Sequence, residues 1–281
     1  MSTSIEPILF HDIEAWRLTV NDATAVVSRY GAQVLSWVSA DGIERLFLSD
    51  KARYDGSASI RGGVPVCFPQ FSNLGDLPKH GLVRQRLWNL SEQSTRDGFA
   101  VLCLAIEDDE ETRALWPYAF RAELTVALEA NRLDVELAVE NKGSEAMEFT
   151  AALHSYLRVG EVENARVQGL AGLEYRDAAK GNAIRQELEH ELVVEDEVDR
   201  VYHNVKRPLL LSEGGRNLGI YAEDFPDVVV WNPWEHLCAK FVDMEPKDFR
   251  RMLCIEAAAA RRPVRLAAGE TWFGRQALVV A

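Results

Sequence analysis

Hydrophobic and polar residues alternate with a period of two along much of the chain. Between Ala122 and Glu129, the residues Ala122, Leu124, Val126 and Leu128 fall on one face and Glu123, Thr125 and Glu129 on the other, as a half-buried strand requires. Leu133 to Glu140 repeats the pattern, with Leu133, Val135, Leu137 and Val139 inward. The short connection Glu129-Ala130-Asn131-Arg132 predicts an antiparallel hairpin between the two. Phe99 to Ile106 is apolar on both faces and reads as a central strand. Further strands are expected at Trp16–Val20, Thr24–Val27, Val34–Val38, Arg45–Leu48, Trp88–Ser91, Met147–Ala152, Leu209–Leu211, Val228–Trp231 and Ala239–Val242. Helical signals are confined to Glu110–Trp116 and a turn near Asp248. Many short strands punctuated by Gly, Asn and Asp predict an all-β fold, a sandwich or barrel rather than βαβ units. No internal repeat or Pro/Ser-rich linker interrupts the 281 residues, so residues 1–281 are expected to form a single domain.

Composition narrows the function. With 47% hydrophobic and 27% charged residues the chain is an ordinary globule. The balance of 31 basic against 44 acidic residues, a net charge of -13, opposes non-specific adhesion to nucleic acid or to an anionic membrane. An anionic ligand therefore needs a local basic cluster. Cys67, Cys103, Cys238 and Cys254 show no C-x-x-C spacing and read as small buried hydrophobes. That usage, with no basic leader and no long apolar run, points to the cytoplasm. The six histidines include neither H-x-x-x-H nor H-x-H, so no metal is expected.

Three places are candidates for chemistry. Glu256 stands in Leu253-Cys254-Ile255-Glu256-Ala257-Ala258, where a desolvated carboxylate has a raised pKa and can serve as a general base. The alternative is a carboxylate that faces solvent or pairs with Arg261 or Arg262. His154, in Ala152-Leu153-His154-Ser155-Tyr156, is either a proton carrier near neutral pH or a neutral core histidine. The Gly- and Pro-rich stretch from Arg61 to Phe71, followed by Leu77 to Arg84, is either a rigid surface loop or a phosphate grip built from Arg61, Lys79 and Arg84. It lacks P-loop spacing. Trp231 and Trp234 are sugar-stacking or core residues, and the acidic run Glu187–Asp199 reads as solvated surface.

Six strings in order carry a resemblance: Arg61-Gly62-Gly63-Val64-Pro65-Val66-Cys67-Phe68-Pro69, Leu77-Pro78-Lys79-His80-Gly81-Leu82-Val83-Arg84, Ala152-Leu153-His154-Ser155-Tyr156, Glu197-Val198-Asp199-Arg200-Val201-Tyr202, Val230-Trp231-Asn232-Pro233-Trp234 and Cys254-Ile255-Glu256. The sequence resembles the aldose 1-epimerase (galactose mutarotase) family, within it the hexose-6-phosphate branch. The resemblance implies a large antiparallel β sandwich, the galactose mutarotase-like super-sandwich, with few short helices and no metal or organic cofactor. It implies Glu256 as general base and His154 as general acid, and a hexose 6-phosphate as substrate. Arg61, Arg84 and Asp199 are then substrate contacts, with His80 and Asp227 as additional ones, while Lys79 is a substrate contact on the basic cluster alone. Gln70, Ser72 and Lys79 depart from the family pattern, which often has an aromatic residue, glycine and a neutral residue there. A monomer with no nucleic-acid or membrane partner is expected. An epimerase for unphosphorylated sugars and a non-catalytic carbohydrate-binding sandwich are the alternatives.

Overall fold

A computed structural model describes residues 2–281. The chain folds almost entirely into antiparallel strands arranged as sheets of four, eight and nine strands. The expected hairpin spans Phe120–Glu129 and Arg132–Asn141, paired from Phe120 with Asn141 to Glu129 with Arg132 across a two-residue turn. Its inward residues join the main core, which also takes Met147, Phe149, Ala151, Val228, Val230, Leu253, Ile255 and Ala257 from the eight-stranded sheet. The two large sheets therefore pack face to face, as alternation demands once each has one apolar face.

The far side of the eight-stranded sheet carries a second, smaller apolar cluster containing Cys67, Phe71, Ala152, Val201, Val229, Ala258 and Ala260. The strand Met252–Leu266 runs through the middle of this sheet between Asp227–Asn232 and Met147–Leu153, and its first nine residues are buried. Its four alanines, good helix formers by propensity, adopt strand geometry because both faces are covered and neighbours occupy both edges.

Several expectations change. Ala239–Val242 is not a strand: it follows the short helix Trp234–Cys238 as a turn. Asn232, which ends its strand, donates to the carbonyls of Phe249 and Met252, at 2.8 Å each, and accepts from the Trp234 amide, turning the chain there. Arg45–Leu48 makes only isolated bridges, through Leu46 and Leu48. Phe99–Glu107 lies second from an edge rather than centrally, covered by the polar strand Asn89–Arg96. Glu187 is not solvated surface: it is buried, accepting from the Tyr202 hydroxyl and from Arg200. Thr3–Phe10 and the long C-terminal strands Met252–Leu266 and Thr271–Val280 were not anticipated.

Gly63 shows why the glycine pair is needed where the loop enters the sheet. It has φ +59°, and a Cβ there would lie 2.0 Å from the Val34 carbonyl oxygen. Gly63→Ala is expected to lower stability by at least about 2 kcal/mol, read as a fall in the denaturation midpoint. A midpoint within error of the parent refutes the assigned packing.

Candidate active site

The strand Met147–Leu153 is separated from Tyr156–Arg158 by two residues, yet after a register shift between Phe149 and Ala151 its last residues, Ala151–Leu153, pair with Met252–Leu266 in the same register as Tyr156–Arg158. Leu153 opposes Ala257 and Tyr156 opposes Cys254, so His154 faces Glu256 across the strand pair. Side chains so opposed are neighbours by construction. The His154 Nε2 and Glu256 Oε1 atoms are 3.3 Å apart, with the residues 9% and 1% exposed. The backbone amide of His154 donates to Pro65 and that of Tyr156 to Gly63, which ties the glycine-proline loop to the same point.

Behind the pair, one polar group crosses between the sheets. Gln276, on the nine-stranded sheet, accepts from the Ser155 hydroxyl and donates to the Ile255 carbonyl at 2.9 Å. Ser155 follows His154 and Ile255 precedes Glu256, so this buried amide ties the Ser155 side chain and the Ile255 backbone together from behind.

A cleft of about 420 Å³ opens in front, lined among others by Arg61, Lys79, His80, Arg84, His154, Asp199, Trp231 and Glu256. The larger hollow of about 950 Å³ at the edge of the nine-stranded sheet, around Arg86, Leu90 and Arg121, has no buried ionisable group in its lining. The His154 ring stacks on Tyr156 at 4.8 Å and meets Trp231 edge-on at 6.1 Å. Arg61 is held in two contacts by Asp243, donates to the Tyr156 hydroxyl and lies over Phe241. Arg84 donates to the Lys79 carbonyl at 2.8 Å, and among the described residues neither Arg84 nor Lys79 forms a salt bridge.

His80 accepts the Ser72 amide at Nδ1, 3.3 Å away, and the Cys67 sulfur lies 3.1 Å from the same atom. The neutral ring's proton is therefore on Nε2. Gln70 explains its departure from the family pattern: it donates to the carbonyls of Ser72 and Leu77 and accepts the Leu77 amide, stapling the loop that delivers Lys79 and His80. Ser72 sits at φ +52°, a conformation that glycine adopts without strain.

The family model described as aldose 1-epimerase matches residues 14–278. The chain belongs to the aldose 1-epimerase family. This epimerase is 35% identical over 264 residues to a Cenchrus ciliaris protein named "Putative glucose-6-phosphate 1-epimerase", covering 90% of this chain and 80% of that one. It is 32% identical over 237 residues to a protein of the same name from Escherichia coli (strain K12), covering 82% and 78%. Its fold superposes on that of a "putative mutarotase" from Salmonella typhimurium with TM-score 0.92 at 25% identity, covering 99% of this chain and 93% of that one. The fold is shared too with a galactose mutarotase-like protein from Clostridium acetobutylicum, TM-score 0.80 at 17% identity, covering 99% and 98%.

Of the residues singled out from the sequence, the epimerase brings Arg61, Lys79, His80, Arg84, His154, Asp199 and Glu256 to one cleft. Asp227 does not join them. It is buried, and its carboxylate accepts the amides of Ala260 and Arg261 and meets His203 Nδ1 at 3.3 Å, so its capacity is spent on the backbone. Trp231 lines the cleft, whereas Trp234 packs on Phe249. Arg176, Phe241 and Asp243 also line it and had no distinguishing sequence signal; Tyr156 stood in a matching string without a role.

Burial dominates the electrostatics. It pushes Glu256 well above its ordinary 4.5, reinforced by Asp199 and opposed by Lys79. It drives His154 well below 6.5, helped by His80, Arg61 and Arg84, and lowers His80 to about 3, helped by Arg84, Lys79 and Arg61. Asp199 is raised by burial against Arg176 and Lys79. A carboxyl whose folded pKa is raised contributes stability in full below its unfolded value and loses it as pH rises toward the folded one. Glu256→Gln should thus match the parent's stability near pH 4 and exceed it increasingly from pH 5 to pH 8, compared by denaturant midpoints across about those values. A difference that is constant with pH contradicts a buried, proton-retaining Glu256.

Proposed function

We propose that this epimerase interconverts the α and β anomers of a hexose 6-phosphate, as a glucose-6-phosphate 1-epimerase, the activity for which its Cenchrus ciliaris and Escherichia coli relatives are named. The observation that carries the reading is one cleft holding both the buried His154–Glu256 pair and two cations, Lys79 and Arg84, that form no salt bridge among the described residues. On a chain of net charge -13, such cations are what a phosphate dianion requires.

The pair holds a single proton through the cycle. With a closed sugar bound, His154 carries it and Glu256 is a carboxylate. Glu256 takes the proton of the anomeric hydroxyl while the bond from C1 to the ring oxygen breaks, and the released electron pair on that oxygen takes the proton of His154. The product is an aldehyde facing neutral His154 and protonated Glu256. Rotation about C1–C2 presents the other face of the carbonyl, and reversal of both transfers closes the opposite anomer. Burial raises Glu256 and lowers His154, so the site favours the state in which both are uncharged, which is that of the open-chain complex. The cleft thereby assists the ring-opening step.

In this reading Arg84 and Lys79 hold the phosphate, and Arg61, fixed by Asp243, orients the sugar beside Tyr156. Neutral His80 donates through Nε2 to a hydroxyl, Asp199 accepts from another, and Trp231 offers an aromatic wall. Residues 1–281 act as one domain in this reading, which the family match over residues 14–278 supports. The four buried free thiols support a reducing cytoplasm.

Exchange between the anomers of glucose 6-phosphate, measured by saturation-transfer NMR, tests the proposal. Glu256→Gln should lower the exchange rate by about 100- to 10,000-fold while keeping the fold; a parent-like rate removes Glu256 as the base. Arg84→Ala should raise KM for glucose 6-phosphate and leave exchange on glucose unchanged. Equal losses on both sugars favour an unphosphorylated substrate, and binding without exchange favours a lectin-like role.

A further inference from the structure

We infer that the same cleft contains an inhibitory site for a thiophilic divalent cation, Zn²⁺ above all, with Cys254 as a third ligand beside His154 and Glu256. Cys254 and Glu256 are two residues apart on one strand, so their side chains share a face, and His154 is brought opposite Glu256 by the neighbouring strand. A nitrogen, a sulfur and an oxygen ligand atom from these three buried residues lie within 4.8 Å of one another.

The spacing suits the ion. Zinc holds nitrogen and oxygen ligands at about 2.0–2.2 Å in a tetrahedron, which separates two such ligands by about 3.4 Å. His154 Nε2 and Glu256 Oε1 stand 3.3 Å apart before any ion is bound. The thiol then closes in by about 1 Å to reach an ideal sulfur ligand distance of about 2.3 Å. A second observation concerns the same carboxyl group: among the described residues, Glu256 Oε2 is buried without a hydrogen-bond partner. An unpartnered buried carboxylate oxygen is costly, and coordination of its carboxyl group offsets that cost.

Charge and softness choose the ion. A thiolate, a carboxylate and a neutral imidazole sum to two negative charges, which a divalent cation cancels in a site that disfavours net charge. One sulfur, one nitrogen and one carboxylate suit zinc and its thiophilic relatives, whereas calcium and magnesium require about six oxygen ligands. Binding forms zinc bonds to sulfur, nitrogen and oxygen, breaks the S–H bond of Cys254 and the O–H bond of protonated Glu256, and releases both protons to solvent. No electron is transferred. The fourth position faces the cleft, from which the ion and its water enter. Loss of exchange activity follows because the ion occupies both proton carriers, and that consequence alone rests on the proposed function.

Metal-free full-length protein titrated with zinc chloride is expected to bind one ion with His154, Cys254 and Glu256 intact. Substitution by cobalt should give a thiolate-to-cobalt charge-transfer band. Cys254→Ser and Cys254→Ala, two variants of different polarity so that at least one retains the fold, should lose that band and weaken zinc binding by roughly 10- to 100-fold or more. Cys103→Ser, on the opposite sheet, should bind as the parent does. Zinc should abolish anomer exchange reversibly with chelator, and the folded Cys254 variant should exchange normally yet resist zinc. Absence of a thiolate band in the parent, or undiminished zinc binding in a folded Cys254 variant, overturns the site. Zinc binding through Cys254 in a metal-free parent that shows no exchange upholds the site and instead overturns the catalytic reading.

Discussion

The alignment of the strand Met252–Leu266 against the interrupted pair Met147–Leu153 and Tyr156–Arg158 is the constraint on which the rest depends. A strand pair repeats every two residues, so a slip of one would move Glu256 into the apolar interface between the large sheets and carry Ile255 or Ala257 to the cleft. The misplaced carboxylate would then be buried among Leu253, Phe149 and their neighbours with no cationic group near it. Hydrophobic burial of the alternate residues and placement of the acid are thus a single event in folding.

That alignment is reinforced where it would be weakest. The two residues between the paired segments are held in front by the amide of His154 on Pro65 and behind by the contact of Ser155 with Gln276. A glutamine within an apolar sandwich is costly unless satisfied, and here both ends of its amide are used. Specific geometry at His154 and Glu256 is obtained from a polar group that spans the core, while their other side lines the cleft.

Much of this was legible in the sequence because burial on one face leaves a period-two record. The hairpin Phe120–Glu129 and Arg132–Asn141 follows from alternation alone, and the oddity of Glu256 and His154 in apolar strings marked them before any fold was known. Where both faces are covered the record vanishes. Cys254 to Ala260 gives no alternation to read, and Ala239 to Val242 imitates a strand although Asn232 and the following helix turn the chain. Asp227 looked like a ligand contact because a carboxylate beside an apolar run is conspicuous, but sequence does not show backbone amides such as those of Ala260 and Arg261 waiting for an acceptor. Arg176 and Asp243 reach the cleft from elements remote in the chain, and nothing local distinguishes them from surface charges.

Among the described residues, Lys79 is the one lysine on the cleft lining, and its side chain is exposed. Gln70 fixes the loop that bears it, and Arg84 engages its backbone carbonyl, so the base of the side chain is anchored while its four-carbon stem stays mobile. A stiff anchor beneath a supple stem confines that positive charge to within one side-chain length of the loop, whatever the stem itself does.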